Sequence, residues 1–434
     1  MLYLGSWSYR VPRTHSPRPR TSSTSSAHLR SRPDLTPWQV TLRNMLDQLP
    51  PEVLCSIFSY ILPPVSWSSS RSRRKILSRL GRVSVKCARA AQTLLFEVVQ
   101  LDSLPTAVSW CRTVETVPQA RFLAQWRTRK LFISPGDLRM ARILVERVLS
   151  TVPAVKELWL ADVACNLLSV SILPQLESCF MSSVDLRLEV DSNKYLLYLP
   201  ELRVLALSLC VVSIGSKVLE FSDLLCLESF PKLTALAVTW SKDTSEPEMH
   251  RLDKQLTHLF LRRVPHGRSA RDEYPVLPCG ELKRATSLQH LSLDLHDADE
   301  ISALEAVPVE LSSLRIMSND RSQPTLIERD VLESDYTCLD SLRYLIVERV
   351  DHDEAAMREE TMALCDAVAI ELVEVQSSGK LEDFADERMW LRMTRARMAP
   401  VPVQRVGARA VFGAGSASIS PRPEASTSAA VTTT

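Results

Sequence analysis

Glycine is scarce in this chain, at 10 of 434 residues, and neither G-x-x-x-x-G-K-[ST] nor G-x-G-x-x-G occurs. Loops that cradle phosphate need glycine so that the backbone can approach closely, so nucleotide-driven chemistry is not expected. An excess of charge of one sign is also missing: 52 basic against 51 acidic side chains leave a formal net charge of +1. That balance offers no global attraction to nucleic acid or a membrane surface, so any partner must be recognised locally. The longest uncharged apolar run, Val204 to Ser216, is well short of the roughly 20 residues a spanning helix needs. Ten cysteines are present but scattered, with no C-x-x-C pair. This favours reduced thiols in an intracellular compartment, mostly as small core residues, over disulfides or structural zinc.

Signs of catalysis are thin as well. No G-x-S-x-G elbow exists, and no motif supports a cysteine nucleophile. The densest polar cluster, HDADE from His296 to Glu300, admits two readings. It offers an imidazole and carboxylates to a metal, or it is a solvated loop after a strand. The second is favoured because ligand sets need three or four positioned groups and no companion cluster accompanies this one. The expectation is a chain that is not an enzyme and carries no cofactor and no metal.

The ends differ from the middle. Up to about Pro33 the chain is rich in Arg, Ser, Thr and Pro, with no acidic residue before Asp34. Such a segment buries too little apolar surface to fold alone. A mitochondrial transit peptide has a similar composition, but Pro12, Pro17 and Pro19 would break its amphipathic helix. From about Ala399 onward a Ser, Thr, Ala and Pro tail repeats the disordered signature. Between the ends, length and a hydrophobic content of 45% allow two ordered regions with a sizeable core.

The first ordered region reads as helices. In LPPEVLCSIFSYI, from Leu49 to Ile61, residues Val53, Leu54, Ile57, Phe58 and Ile61 fall on one helical face. Pro50 and Pro51 suit a first turn, and Pro63 with Pro64 ends the segment. After a polar insertion, WSSSRSRRK, apolar spacing resumes at Ile76, Leu77, Leu80, Val83, Cys87, Ala91, Leu94 and Leu95, with Gly81 marking a break between two helices. The first stretch resembles the opening helix of an F-box. Val83, Ser84, Ala91, Leu94, Leu95 and Phe96 match the closing pattern of fungal, basidiomycete-like F-box proteins. Two features depart from that pattern: the insertion is long, and Cys87 stands where tryptophan is common. The other reading is an ordinary pair of amphipathic core helices.

The second region repeats. L-x-x-L-x-L segments begin at Val155, Leu202, Leu233, Leu256, Leu288, Leu311 and Leu342, with poorer copies around Leu131 and Leu186. Their spacing, about 19 to 32 residues, lies in or near the leucine-rich-repeat range. Each final L-x-L places two apolar side chains on one face of a short strand, and stacking such strands joins the faces into one core. Ala141 to Leu149 and Glu300 to Val307 have the apolar spacing of connecting helices. The region resembles the irregular leucine-rich-repeat arm of fungal F-box proteins, without a clean asparagine ladder position. An ordinary α/β sheet is the competing reading.

The expected fold is therefore α/β. It has a disordered tail over 1–35, a small all-helical F-box module over 36–101, an irregular leucine-rich-repeat-like solenoid arm over 102–395 and a disordered tail over 396–434. By resemblance, the chain is a substrate-recognition adaptor that binds a Skp-type adaptor and, through it, a cullin ubiquitin ligase. Its setting is cytoplasmic or nuclear, with no nucleic acid or membrane partner. Leu49, Pro50, Val53, Leu54, Ile57, Phe58 and Ile61 serve docking or its supporting core, with Val83 and Leu94 beneath. A leucine-rich-repeat scaffold capped by the F-box-like helices is the alternative. On the arm, the residues between paired leucines are expected on an exposed concave face: Trp159, Arg187, Ala206, Ala237, Phe260, Ser292, Arg315 and Ile346. One step further lie Glu189, Arg262, Asp294 and Glu348. Trp159, Phe260, Arg187 and Arg262 are the candidates for substrate contact, since aromatic and arginine side chains dominate interface energies. Packing of Trp159 and Phe260 beneath a neighbouring loop is the other reading of that pair.

Overall fold

The structure, a computed structural model, describes residues 45–63, 65, 69–134, 142–188, 198–214, 217–219, 229–241, 252, 254–264, 275–295, 298–317, 324–349 and 355–376. Both expected tails lie outside the described residues. The fold is mixed α/β, with helices leading into a large parallel sheet.

Among the described residues a helical turn over 45–48 is followed by α1 (Pro51–Ile61), α2 (Ser70–Leu80) and α3 (Val85–Glu97). Proline at the first position starts α1, whose end is closed by the Leu62 N–H donating to the Phe58 carbonyl just before Pro63. Gly81 ends α2, and Ser84 caps α3 by accepting the Cys87 N–H at 3.2 Å. Leu54, Phe58, Leu62, Leu77, Cys87, Ala90, Ala91 and Leu94 form a separate small core, with α3 touching both α1 and α2. The polar stretch read as an insertion is helical from Ser70 onward. It is held because its polar groups find partners: Arg73 donates to the Pro63 carbonyl, while Ser70 and Arg74 donate to the Gln100 side chain.

The last residue of α3 runs directly into β1 (Val98–Leu101), the first strand of the large sheet. Next come α4 (Leu104–Thr116), α5 (Pro118–Arg127), β2 (Lys130–Ile133), α6 (Arg142–Ser150), β3 (Glu157–Ala161), β4 (Ala164–Asn166), α7 (Leu167–Ser171), β5 (Ser178–Ser182) and β6 (Asp185–Leu188). The chain continues through β7 (Val204–Ser208), β8 (Val211–Ile214), β9 (Lys217–Leu219), β10 (Ala235–Trp240), β11 (His258–Arg263), α8 (Cys279–Leu282) and β12 (His290–Asp294). A 3-10 segment (Ala298–Ala306), β13 (Ser313–Met317), α9 (Pro324–Glu333), a second 3-10 turn (Thr337–Leu339), β14 (Tyr344–Arg349), α10 (Ala355–Ala367) and β15 (Glu371–Gln376) complete the described elements. The helix expected over 141–149 is α6, whereas the stretch expected as a helix over 300–307 takes the tighter 3-10 form.

Eleven strands form the large sheet in chain order, β1-β2-β3-β5-β7-β10-β11-β12-β13-β14-β15, and every pairing is parallel. The connections repeat in detail. Just before a strand, two successive N–H groups donate to one carbonyl of the preceding strand's lead-in: Lys156 and Glu157 to Arg129, Glu177 and Ser178 to Lys156, Thr234 and Ala235 to Arg203, Gln289 and His290 to Thr257. The leading residues Val155, Leu202, Leu233, Leu256, Leu288, Leu311 and Leu342 are all buried. With the alternate strand residues, such as Leu158, Leu205, Leu236, Leu259, Leu291, Leu314 and Leu345, they build one continuous core along the sheet.

A second sheet, β4-β6-β8-β9, lies beyond three of these strands. The chain reaches it through Asp162, Ser183 and Leu209, which follow β3, β5 and β7 with φ of 53°, 51° and 50°. Their N–H groups donate to Ser182, Ser208 and Thr239 carbonyls, so the ladder is carried one residue further before the chain turns. Left-handed backbone favours glycine, yet this glycine-poor chain makes the same turn three times without one.

Candidate docking surfaces

The seven residues assigned to docking or its support divide by burial. Leu54 and Phe58 point into the small core and are fully buried. On the other flank of α1, Val53 is 41% exposed, Ile61 54% and Tyr60 93%, with Pro50 also exposed and Ile57 and Leu49 half-buried. Leu94 is core and Val83 packs against it. The helix thus anchors through one pair of side chains and turns a second apolar stripe outward. Tyr60, the most exposed member, follows Val53 by seven residues and so lies only about 20° from it around the helix.

Of the four residues expected to contact a substrate on the arm, Trp159 and Phe260 share one hydrophobic cluster, whereas Arg187 lies in the second sheet. Trp159 and Phe260 do face away from the main core, but they are only 3% and 5% exposed, which corrects the expectation of exposed anchors. The cause is register: parallel pairing aligns Phe132, Trp159, Phe180, Ala206, Ala237 and Phe260 side by side, and they form a hydrophobic cluster of their own. Trp159 stacks on Phe180 at 4.2 Å and tilts against Phe132 at 5.5 Å. Its Nε1 donates to Glu157 at 3.0 Å, and Glu157 also pairs with Lys130. Phe260 lies beneath the Arg315 guanidinium, 5.8 Å from the ring centre. Ala206, Ala237, Ser292, Arg315 and Ile346 continue the row and are buried too, as is Asp294. Arg187 is exposed but belongs to β6 of the second sheet, where it pairs with Asp185 at 2.7 Å. Arg262 is half-exposed beside Thr239. Glu189 lies outside the described residues, as does the Glu348 side chain.

Phe132 and Phe180 join the aromatic row unforeseen. Phe132 sits in one of the poorer copies. Phe180 sits in LESCFM, a copy disguised by Cys179 and Met181 at the leucine positions. Next along the same face, His258 and His290 stack at 4.1 Å, and His290 Nδ1 is 2.8 Å from the Ser313 hydroxyl. Burial pushes His290 down to about 4, so its ring is neutral at pH 7.

The polar cluster at His296 to Glu300 is partly structural. Glu300 receives both guanidinium nitrogens of buried Arg263, at 2.6 and 2.5 Å, while Arg263 also donates to the Pro275 and Asp294 carbonyls. His296 lies outside the described residues. Among the described residues, no three His, Cys, Asp or Glu side chains gather as a metal site requires. The nine described cysteines are free thiols. Burial raises Cys165 to about 12 and Cys210 to about 11, which keeps them protonated and poorly nucleophilic. Among the described residues no helix is long and apolar enough to cross a membrane.

No family model and no curated protein matches the chain.

Proposed function

We propose that this chain is a substrate-recognition adaptor of a Skp–cullin–F-box type ubiquitin ligase. The outward apolar stripe of α1 would dock the Skp-type adaptor, and a leucine-rich-repeat-like solenoid arm would hold a protein substrate. The observation that carries the reading is the division of α1 into a buried pair, Leu54 and Phe58, and an exposed stripe of Pro50, Val53 and Ile61. An exposed apolar stripe on a short, well-anchored helix is what a docking element needs. The repeated hydrogen bonding at the strand starts and the strict chain order of the large sheet support the solenoid arm. Free thiols fit a cytoplasmic or nuclear setting.

In this reading the chain performs no bond chemistry. It contributes proximity, bringing a target lysine close to a charged ubiquitin carrier so that transfer becomes effectively unimolecular. The burial of Trp159 and Phe260 moves the expected substrate contacts to polar side chains that reach solvent, Arg262 on β11 foremost.

A capped scaffold is favoured by one observation, the direct run of α3 into β1, which seats the helices at the end of the sheet. Capping units carry a polar outer face, however, and the α1 stripe is apolar. Co-purification with a co-expressed Skp-type adaptor separates the two readings. Val53→Asp and Ile61→Asp should abolish recovery of the adaptor while changing stability by less than about 0.5 kcal/mol, as expected for exposed sites. Phe58→Asp is unsuitable because it would disrupt the small core. Full recovery of the adaptor with the double variant, or none with the unaltered chain, overturns the ligase reading.

A further inference from the structure

Helix α5 carries a second apolar face. Ala120, Leu123 and Ala124 are buried, and α5 lies against α3 and α4. On the outer side, Phe122 and Trp126 are 59% and 62% exposed. Four residues apart, they are neighbours on the helix surface. Along the helix itself the charge has one sign, with no acidic residue from Val117 to Lys130, while Glu52 of α1 and Glu97 of α3 act on the same Cys55 thiol as Arg127 does. Arg121 and Arg127 are exposed, and neither makes an ion pair among the described residues. Lys130, by contrast, is paired with Glu157 at 2.9 Å.

Paired exposed aromatics mark interaction sites more often than scattered apolar residues do, and Trp and Arg are the side chains that most often dominate binding energy. Exposed arginines beside them, in no ion pair among the described residues, favour a partner of negative charge. We propose that α5 docks an acidic amphipathic helix of a partner protein, with Phe122 and Trp126 packing on its apolar stripe and Arg121 and Arg127 meeting the carboxylates that flank the stripe. A polyanion is the weaker match, because nucleic-acid binding draws on many phosphate contacts and this chain has a net charge of only +1. A membrane is weaker too, since stable attachment needs a larger amphipathic surface or a second anchor.

This surface is distinct from the α1 stripe. Arg127 is close enough to Cys55 for its charge to act on that thiol, and Cys55 Sγ lies 3.9 Å from the Ala90 carbonyl on α3. Val53, two residues from Cys55, lies about 160° from it around the helix. The proposal therefore does not rest on the ligase reading.

The test uses the full-length chain and a fluorescent helical peptide with leucines at i, i+3, i+4 and i+7 flanked by glutamates, beside a twin in which lysines replace the glutamates. Anisotropy should show binding of the glutamate peptide alone, weakening as salt rises. Trp126→Ala and the pair Arg121→Glu with Arg127→Glu should each reduce affinity by about tenfold or more, with circular dichroism unchanged. The proposal is overturned if neither peptide binds, if the lysine twin binds equally, or if the variants bind as the unaltered chain does. Tighter binding of single-stranded RNA or phosphatidylserine vesicles, lost in Trp126→Ala, would also overturn it, as would self-association lost in that variant. Retained peptide binding in Val53→Asp, where adaptor recovery is lost, separates the two surfaces. Failure of one leaves the other standing.

Discussion

His290 shows how a single side chain ties the sheet to pH. Its ring is buried against His258 and Ser313, and burial lowers its folded value to about 4 from a usual 6.5. Between those values the unfolded chain holds a proton that the folded chain does not. The stabilisation is therefore complete above pH 6.5 and is lost as pH falls from 6.5 towards 4, up to about 3 kcal/mol. His290→Gln removes this contribution. Urea unfolding at pH 7 and pH 5 should show the unaltered chain losing about 2 kcal/mol more than the variant over that interval. Equal losses would mean that the ring takes up its proton in the folded state without penalty.

Among elements, an ion pair joins β11 to the 3-10 segment. Arg263 is almost fully buried and Glu300 is its carboxylate partner. Removing one member of such a pair strands a buried charge, whereas replacing both with apolar groups can be neutral. Glu300→Ala should lower stability by about 3 kcal/mol, and Arg263→Met added to it should restore much of the loss. Thermal melting that places Glu300→Ala within about 0.5 kcal/mol of the unaltered chain would rule out this role. The same cluster marks the limit of what the sequence makes legible. HDADE reads as a solvated loop, and nothing in its spacing announces an arginine 37 residues earlier. Regular L-x-x-L-x-L copies, by contrast, are legible because leucine burial and strand periodicity coincide: those beginning at Val155, Leu202, Leu233, Leu256, Leu288, Leu311 and Leu342 become β3, β7, β10, β11, β12, β13 and β14. β5 is hidden by Cys179 and Met181, which fill leucine positions equally well. The second sheet is hidden because its turns use Asp162, Ser183 and Leu209 in left-handed backbone where glycine would have signalled them. The copy around Leu186 is real but lies in that second sheet. Burial of Trp159 and Phe260 is one of the two readings their sequence allows, but what buries them is not legible, because it is neighbours in register rather than a loop, and no single copy contains them.

At the scale of the molecule, strand order sets how far a perturbation travels. Each strand of the large sheet hydrogen-bonds only to its neighbours in that chain-ordered row, and the small helical core of α1, α2 and α3 is separate from the main one. If the row is the proposed solenoid, its stability is close to a sum of local terms and nearest-neighbour interfaces. A cavity at one end should therefore loosen that end first. Leu345 of β14 is fully buried between Leu314 and Leu372, and Leu345→Ala should cost about 2–5 kcal/mol locally. Native-state hydrogen exchange then discriminates between two physical pictures. If coupling decays along the row, amides of β13, β14 and β15 exchange faster in the variant while those of α1, α3 and β1 to β3 keep their protection. If the whole chain unfolds as one unit, the slowest amides everywhere accelerate by the same factor. We expect the first outcome, because among the described residues no strand of the large sheet bridges from β15 back to β1.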